Sequence, residues 1–487
     1  MKAAQLKTVV VGGGLAGLTA AIALAEQGAQ VTLLEAKPRL GGATCSFNRD
    51  GLIVDTGQHV FLRCCTAYRG LLDKLGVTEH APIQPRFDAT ILAPGGRKAR
   101  LRRTALPGPL HMLPALLRYR FLSLAERSVV SRASLAMRGV DPADPAVDNV
   151  RFGDWLAAHG QSEHARRVLW DLFTVSGLNV AGDDASLALA AVVIKTGLLG
   201  ANDAADIGVP ALPLGELHGD AAARLLASLG AEVRTSTKVA AVTTTALDNT
   251  ALDNTESEYP FRVELGRGAG AGAGSGAGEV IGADEVVLAV TPEQAARLMP
   301  ADALPAAEVA AWSGLGASPI VNLHVIYDRE VTDLPFAAGV DSPVQWAFDR
   351  TRISGLANGT PGVQGERREQ YLAVSLSAGD EYVDMPVADL RERFVPALAE
   401  LFPAARDARV AEFFVTRERR ATFRQVPGSG ALRPQTGTKL PGLVLAGAWT
   451  ATGWPDTMEG AVRSGLAAAT ELRRMRSHMT TELGVSP

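Results

Sequence analysis

The stretch TVVVGGGLAGLTAAIALAEQGAQVTLLEAKPRLGG, residues 8–42, constrains this chain more than any other. Val9, Val10 and Val11 form a β-branched run that reads as a buried parallel strand. Gly12, Gly14 and Gly17 follow at G-x-G-x-x-G spacing, and an Ala/Leu-rich helical stretch opens at Leu15 and Ala16 and runs to Gln27. Gly28 stands where a helix C-cap belongs, and residues 30–34 supply a second strand that ends at Glu35. The first glycine allows the tight turn, the second lets backbone approach a pyrophosphate, and the third permits close helix–strand packing. The helix N-terminus then faces the phosphates. Glu35, at the strand tip, can accept hydrogen bonds from a ribose diol. Glycine fills 50 of 487 positions, so three glycines alone would mean little; the whole strand–loop–helix–strand–Glu unit points to a dinucleotide.

The segment Glu35-Ala36-Lys37-Pro38-Arg39-Leu40-Gly41-Gly42 resembles the E-x-x-x-R-x-G-G signature of flavin amine oxidases and carotenoid desaturases. The resemblance implies FAD, with Arg39 at its phosphates and the backbone of Ala36, Gly41, Gly42 and Ala43 close to the cofactor. It also implies an α/β fold: a discontinuous Rossmann-like FAD-binding domain with an inserted α+β substrate domain, a mixed sheet plus a helical cap. The expected divisions are 1–90, 215–295 and 415–475 for the cofactor domain and 91–214 and 296–414 for the substrate domain. Residues 246–280, with ALDNT repeated in tandem and a Gly/Ala/Ser run, read as a flexible low-complexity insert, and 476–487 as a tail.

After the glycine pair, the alternating segment Gly51-Leu52-Ile53-Val54-Asp55-Thr56-Gly57-Gln58-His59 reads as a strand delivering a loop. In the families it resembles, the matching D-x-G loop lies beside the flavin ring. That places Gly57, Gln58 and His59 at the cofactor, with His59 and Asp55 as candidates for polar assistance to catalysis. The same resemblance puts Val239 at the adenine, on a strand near 237–242. Near the C-terminus, a buried strand at 443–446 enters Gly447-Ala448-Trp449-Thr450-Ala451-Thr452-Gly453-Trp454-Pro455-Asp456-Thr457-Met458, which opens a helix. Its N-terminal amides and dipole suit the pyrimidine edge of a reduced flavin. Resemblance assigns Thr457 and Met458 to that contact and puts Gly447 and Trp454 among the other cofactor-binding residues. Ala448 departs from the pattern, because many amine-oxidase-type flavoproteins carry an acidic residue there.

DTGQHVFLRCCTAYRGLLDKLG and the W-T-x-T-G-W-P-x-T-M-E-G-A-V-x-S-G segment are similar to hydroxysqualene dehydroxylases, FAD proteins of bacterial squalene and hopanoid biosynthesis. This implies a polyisoprenoid lipid substrate and reductive removal of an allylic hydroxyl. A carotenoid-type desaturase is the alternative, and an amine oxidase a more distant one, since aromatics make up only 5% of the chain. The chain shows no second dinucleotide fingerprint, so the electron donor is open: NADPH bound elsewhere, or a partner reductase.

The other features set bounds. Net charge −4 gives no case for nucleic acid. Cys45, Cys64 and Cys65 form no C-x-x-C pair, which fits a reducing cytoplasm and argues against a structural metal site. No cysteine lies in the C-terminal half, so FAD is expected to bind non-covalently. Residues 97–138 carry ten basic side chains against the single acid Glu126, interleaved with leucines. This suits peripheral contact with the inner face of the cell membrane, or equally a helical cap with solvated arginines. Residues 150–215 read as helical, and strands are expected near 319–327, 344–348 and 370–376, followed by a helix over 387–401.

Overall fold

In the computed structural model, residues 5–245, 259–266, 279–356 and 369–482 are described. Strands Lys7–Val11, Gln30–Leu34, Glu232–Arg234, Glu285–Leu288 and Leu443–Leu445 form a five-stranded, all-parallel sheet with Lys7–Val11 at its centre. Alternation decides its two faces. Val10, Leu33, Val287 and Val444 pack against the helices Leu15–Glu26, Ala221–Ser228 and Met458–Glu482. Val9, Val11, Val286, Leu288, Leu443 and Leu445 point the other way, onto a three-stranded antiparallel layer of Val239–Thr244, Phe261–Leu265 and Val280–Ala283.

A second sheet has seven strands, ordered Val410–Thr422, Ser318–Tyr327, Gln370–Leu376, Trp346–Asp349, Phe336–Gly339, Asp88–Ala93 and Arg97–Arg102. One face buries Val321, Leu323 and Val325 against the helix Val387–Leu401; the other meets the hairpin Ser46–Arg49/Leu52–Asp55 through Ile326, Tyr371 and Phe414. Helices between Leu113 and Leu199 form a separate cap.

The expected strands near 319–327 and 370–376 and the helix over 387–401 occur at Ser318–Tyr327, Gln370–Leu376 and Val387–Leu401. Four boundaries differ. The divisions at 90/91 and 414/415 fall inside Asp88–Ala93 and Val410–Thr422, so the second sheet claims both strands whole. The stretch 246–280 is not all linker: Phe261, Val263 and Leu265 turn inward at period two, making Phe261–Leu265 the middle strand of its layer. The ALDNT repeat and the Gly/Ala/Ser run beyond Gly266 lie outside the described residues. The tail expected from 476 begins as the last turns of Met458–Glu482, where Arg476 pairs with the buried Glu285 at 2.5 Å.

Candidate active site

Two helix N-termini meet at the carboxyl edge of the parallel sheet, where open α/β sheets take their ligands. The first belongs to Leu15–Glu26, whose N-cap Gly14 offers no side chain and whose first backbone bond is Leu18 N–H to Gly14 O at 2.9 Å. Gly12 sits at φ +109°, and a Cβ there would stand 2.3 Å from Ala289 O. A Cβ on Gly17 would stand 1.9 Å from Gly12 O, so close packing demands glycine at this position too. Gly14 differs: the nearest atom to its would-be Cβ is Gly42 Cα at 3.9 Å.

The glycine pair closes over this loop, with Gly41 N–H donating to Gly13 O at 2.8 Å and Gly41 bridging Gly14. What remains is a side-chain-free cradle of amides beside a helix N-terminus. It fits the pyrophosphate of a dinucleotide. Glu35 is fixed at the rim, accepting from Gly13 N–H and Lys37 N–H at 2.7 Å each. Each carboxylate oxygen keeps capacity for a diol. Thr237 N–H donates to Glu35 O at 2.8 Å, which carries the start of Val239–Thr244 alongside and sets the buried Val239 next to this rim. Ala36 and Arg39 are exposed; Arg39 donates from Nε to Cys45 Sγ at 3.3 Å and has no ion pair among the described residues. Ala43 is exposed as well.

The Asp-Thr-Gly loop lies between this cradle and the second sheet. The Thr56 hydroxyl donates to Ala43 O (2.7 Å) and Cys45 O (2.9 Å), and Asn322 Nδ2 donates to Thr56 O (3.3 Å) from the strand Ser318–Tyr327. His59 Nδ1 lies 3.1 Å from Gly57 O. If that nitrogen carries the proton, the neutral ring presents Nε2 as an acceptor. A Cβ on Gly57 would meet His59 Cε1 at 3.2 Å and Asn322 Nδ2 at 3.7 Å, so imidazole and amide flank one glycine. Burial pushes the His59 pKa below its ordinary value; Asp55 pulls it up and Arg350 down. Gln58 Nε2 and Asn322 Oδ1 are buried polar atoms with no protein partner.

Asp55, the other candidate for polar assistance, is held by fixed partners. It forms a buried ion pair with Arg350, and Oδ1 accepts from the Ser46 hydroxyl (2.6 Å) and Leu214 N–H (3.0 Å). Ser46 Oγ in turn accepts from Gly215 N–H at 2.9 Å. The carboxylate thus ties together its own strand, the neighbouring strand of the hairpin, the 214–215 turn and the loop after Trp346–Asp349. Two further histidines are buried nearby. His218 accepts or donates at Tyr68 Oη (2.7 Å) and is pushed down to about 4 by burial. His324 lies 2.5 Å from Tyr371 Oη and 3.0 Å from Thr416 Oγ1, stacks on Phe414, and is pushed down to about 3.

The second N-terminus opens Met458–Glu482, which crosses Leu15–Glu26 so closely that a Cβ on Gly465 would stand 2.3 Å from Ala16 O. Gly447 (φ +142°) donates to Ser464 Oγ at 2.8 Å, and Thr457 Oγ1 accepts from Gly460 N–H at 3.3 Å. Thr457 and Met458 are half-buried. Trp454 lies under the Arg463 guanidinium, 4.5 Å from the ring centroid. Trp449 is buried against Trp312 and donates to Val290 O at 2.9 Å.

Sequence reasoning missed the residue that shapes this loop. Buried Arg433 donates to Ala448 O (2.9 Å), Thr450 O (2.5 Å), Thr452 Oγ1 (3.1 Å) and Trp454 O (2.8 Å), and burial pushes it down to about 10. Also missed were Asn322, Arg350 and Asp456. Asp456 accepts from Phe423 N–H at 2.9 Å, and burial pushes its carboxyl up to about 6. Arg433, Asn322 and Arg350 sit in no recognisable local motif, and Asp456 occupies a variable position of the Trp454–Met458 segment.

The family model described as flavin containing amine oxidoreductase matches residues 15–473. The chain belongs to this family. It is therefore a flavin-dependent oxidoreductase. It is 29% identical over 473 residues to the hydroxysqualene dehydroxylase of Rhodopseudomonas palustris, covering 95% of this chain and 97% of that protein. It is 25% identical over 502 residues to the zeta-carotene desaturase of Zea mays, covering 95% and 82%. Among solved structures, cyclohexylamine oxidase from Brevibacterium oxydans superposes with a TM-score of 0.64 at 20% identity, covering 97% of this chain and all of that one. That likeness establishes the fold, and the Rossmann-like cofactor domain with its attached substrate sheet agrees with it.

Proposed function

We propose that this flavoenzyme converts hydroxysqualene to squalene by reductive dehydroxylation, within squalene and hopanoid biosynthesis. The observation that carries the reading is the end-to-end similarity to a hydroxysqualene dehydroxylase, spanning nearly all of both chains. The site's chemistry supports it. In the reaction the allylic C–O bond breaks, the oxygen departs as water with a proton from the site, and a hydride closes the carbon. Bound non-covalently and reduced by an external donor, FAD would supply that hydride.

The chain's own residues do the rest. The Gly12–Gly17 loop, the Gly41–Gly42 pair and Glu35 bind the nucleotide portion, while the N-terminus of Met458–Glu482 favours negative charge on the ring. His59, held by Gly57 O, is the proton donor at the departing hydroxyl when its ring is protonated at Nε2. Asp55 is a positioning residue, locking the Asp-Thr-Gly loop through Arg350 and Ser46. The reducing equivalents come from outside the chain, and NADPH through a partner reductase is the expected source.

The test is to reduce the purified yellow holoenzyme anaerobically, add hydroxysqualene, follow the flavin absorbance and extract the lipid. Flavin reoxidation together with squalene formation is the expected result. The similarity to zeta-carotene desaturases favours one second reading, a polyene desaturase working in the oxidising direction. Flavin that stays reduced with hydroxysqualene, but is bleached from the oxidised form by a polyene precursor, would establish that reading instead.

A further inference from the structure

Among the described residues, six of the seven exposed leucines fall in one stretch: Leu106, Leu110, Leu113, Leu117, Leu124 and Leu135, between 36% and 79% exposed. Leu110, Leu113 and Leu117 recur at i, i+3 and i+7 through Leu110–Met112 and Leu113–Arg118, so they share one helical face. The opposite face is already used. His111, Ala115 and Tyr119 are buried at i, i+4 and i+8, and Leu116 packs on the core from the side. The outward leucines are thus surplus to the core. Leu106 is brought up to them by Thr104, whose N–H and hydroxyl donate to His111 O at 2.9 and 3.1 Å.

The rim is basic. The edge strand Arg97–Arg102 turns Arg97, Lys98, Arg100 and Arg102 to solvent. Asp88 takes up Arg100 and Arg102, and Asp206 takes up Arg103. Lys98, Arg118, Arg120, Arg132 and Arg138 have no ion pair among the described residues and are exposed. Residues 97–138 hold ten basic side chains and one acid, Glu126, in a chain of net charge −4. Clustered exposed leucines mark an interaction surface. Protein interfaces favour Tyr, Trp and Arg anchors with charge depleted at the centre; projecting leucines ringed by unpaired cations complement an anionic lipid surface.

We propose that residues 106–124 dock this protein on an anionic membrane surface, with Leu110, Leu113 and Leu117 among the acyl chains and Lys98, Arg118 and Arg120 at the headgroup phosphates. The proposal stands apart from the identity of the substrate. It is tested by co-sedimenting the full-length, flavin-loaded protein with phosphatidylcholine vesicles and with 3:1 phosphatidylcholine/phosphatidylglycerol vesicles, at low and high salt. The wild type is expected to pellet with the anionic vesicles only, and to be released by high salt. L113D/L117D should abolish binding, and each reversal among Lys98, Arg118 and Arg120 should weaken it about fivefold or more. Flavin content and Tm of the variants check that these exposed changes leave the fold intact. Wild-type protein that stays in the supernatant, or that binds both vesicle types equally, would overturn the proposal. So would a salt-stable dimer in light scattering that L113D/L117D dissociates, since the face would then belong to a second copy of the chain.

Discussion

The nucleotide cradle and the loop beneath the second sheet are built from different materials. The cradle is backbone: Gly12, Gly14, Gly17, Gly41 and Gly42 remove side chains, and one short stretch of chain supplies nearly every group. The neighbouring loop is held by side chains from far apart, with Asp55 meeting Arg350 and Asn322 reaching Thr56. Backbone cradles fail by being filled, whereas side-chain latches fail by losing a partner. The two failures should look different in the laboratory.

The largest effect is expected at the cradle, and it separates binding from folding. Gly14→Val places its side chain where only Gly42 Cα lies within 4 Å, so the protein should fold yet purify colourless, with flavin content near zero. Gly17→Ala drives a methyl to 1.9 Å from Gly12 O and should abolish soluble expression. A yellow Gly14→Val protein would place the dinucleotide elsewhere. Next comes His59. His59→Gln should retain flavin but lower turnover about 10²–10⁴-fold if the ring donates the proton. Because burial lowers its pKa, the protonated ring is scarce at pH 7 and grows as pH falls, so wild-type kcat/KM should climb on the acid side with a midpoint below 6.5. His59→Gln should flatten that limb; a variant with unchanged turnover would remove His59 from the chemistry.

The latch should break more mildly but still measurably. Arg350→Met leaves the Asp55 carboxylate buried and unpaired, at a cost of about 3–5 kcal/mol in urea unfolding. Asp55→Asn combined with Arg350→Met should recover part of that loss, since the stranded charge is gone. If the double variant is as unstable as the sum of the singles, the pair is not coupled and the latch account fails.

The same contrast governs what could be read in advance. The parallel strands at Lys7–Val11 and Gln30–Leu34 were legible because period, glycine spacing and a terminal acid all fall within one local stretch. Ser318–Tyr327 and Gln370–Leu376 were legible as compact apolar runs, and both strands are buried along nearly their whole length. Arg433 was not, because its significance comes from four acceptors between Ala448 and Trp454 that only the folded chain brings around it. Asp55 was legible as a position but not as half of an ion pair, since its partner Arg350 lies almost three hundred residues away. Phe261–Leu265 was obscured by the low-complexity sequence on both sides, although its own alternation is clear.

The smallest effect concerns Asp456, in the loop that opens the helix Met458–Glu482. Its side chain accepts from Phe423 N–H, its own N–H donates to Gln425 Oε1, and burial holds its carboxyl near 6. A carboxyl pKa raised on folding contributes stability below the unfolded value, near 3.9, and loses it as pH rises through about 6, because the unfolded chain ionises first. Above that window the fold carries an unfavourable charge. Asp456→Asn keeps an oxygen for Phe423 N–H and removes the ionisation, so Tm should rise by about 2 °C at pH 8 and change little at pH 4.5. An equal shift at both pH values would mean that the change acts through packing against Arg433 and the loop it holds, and the charge at this position would then count for nothing.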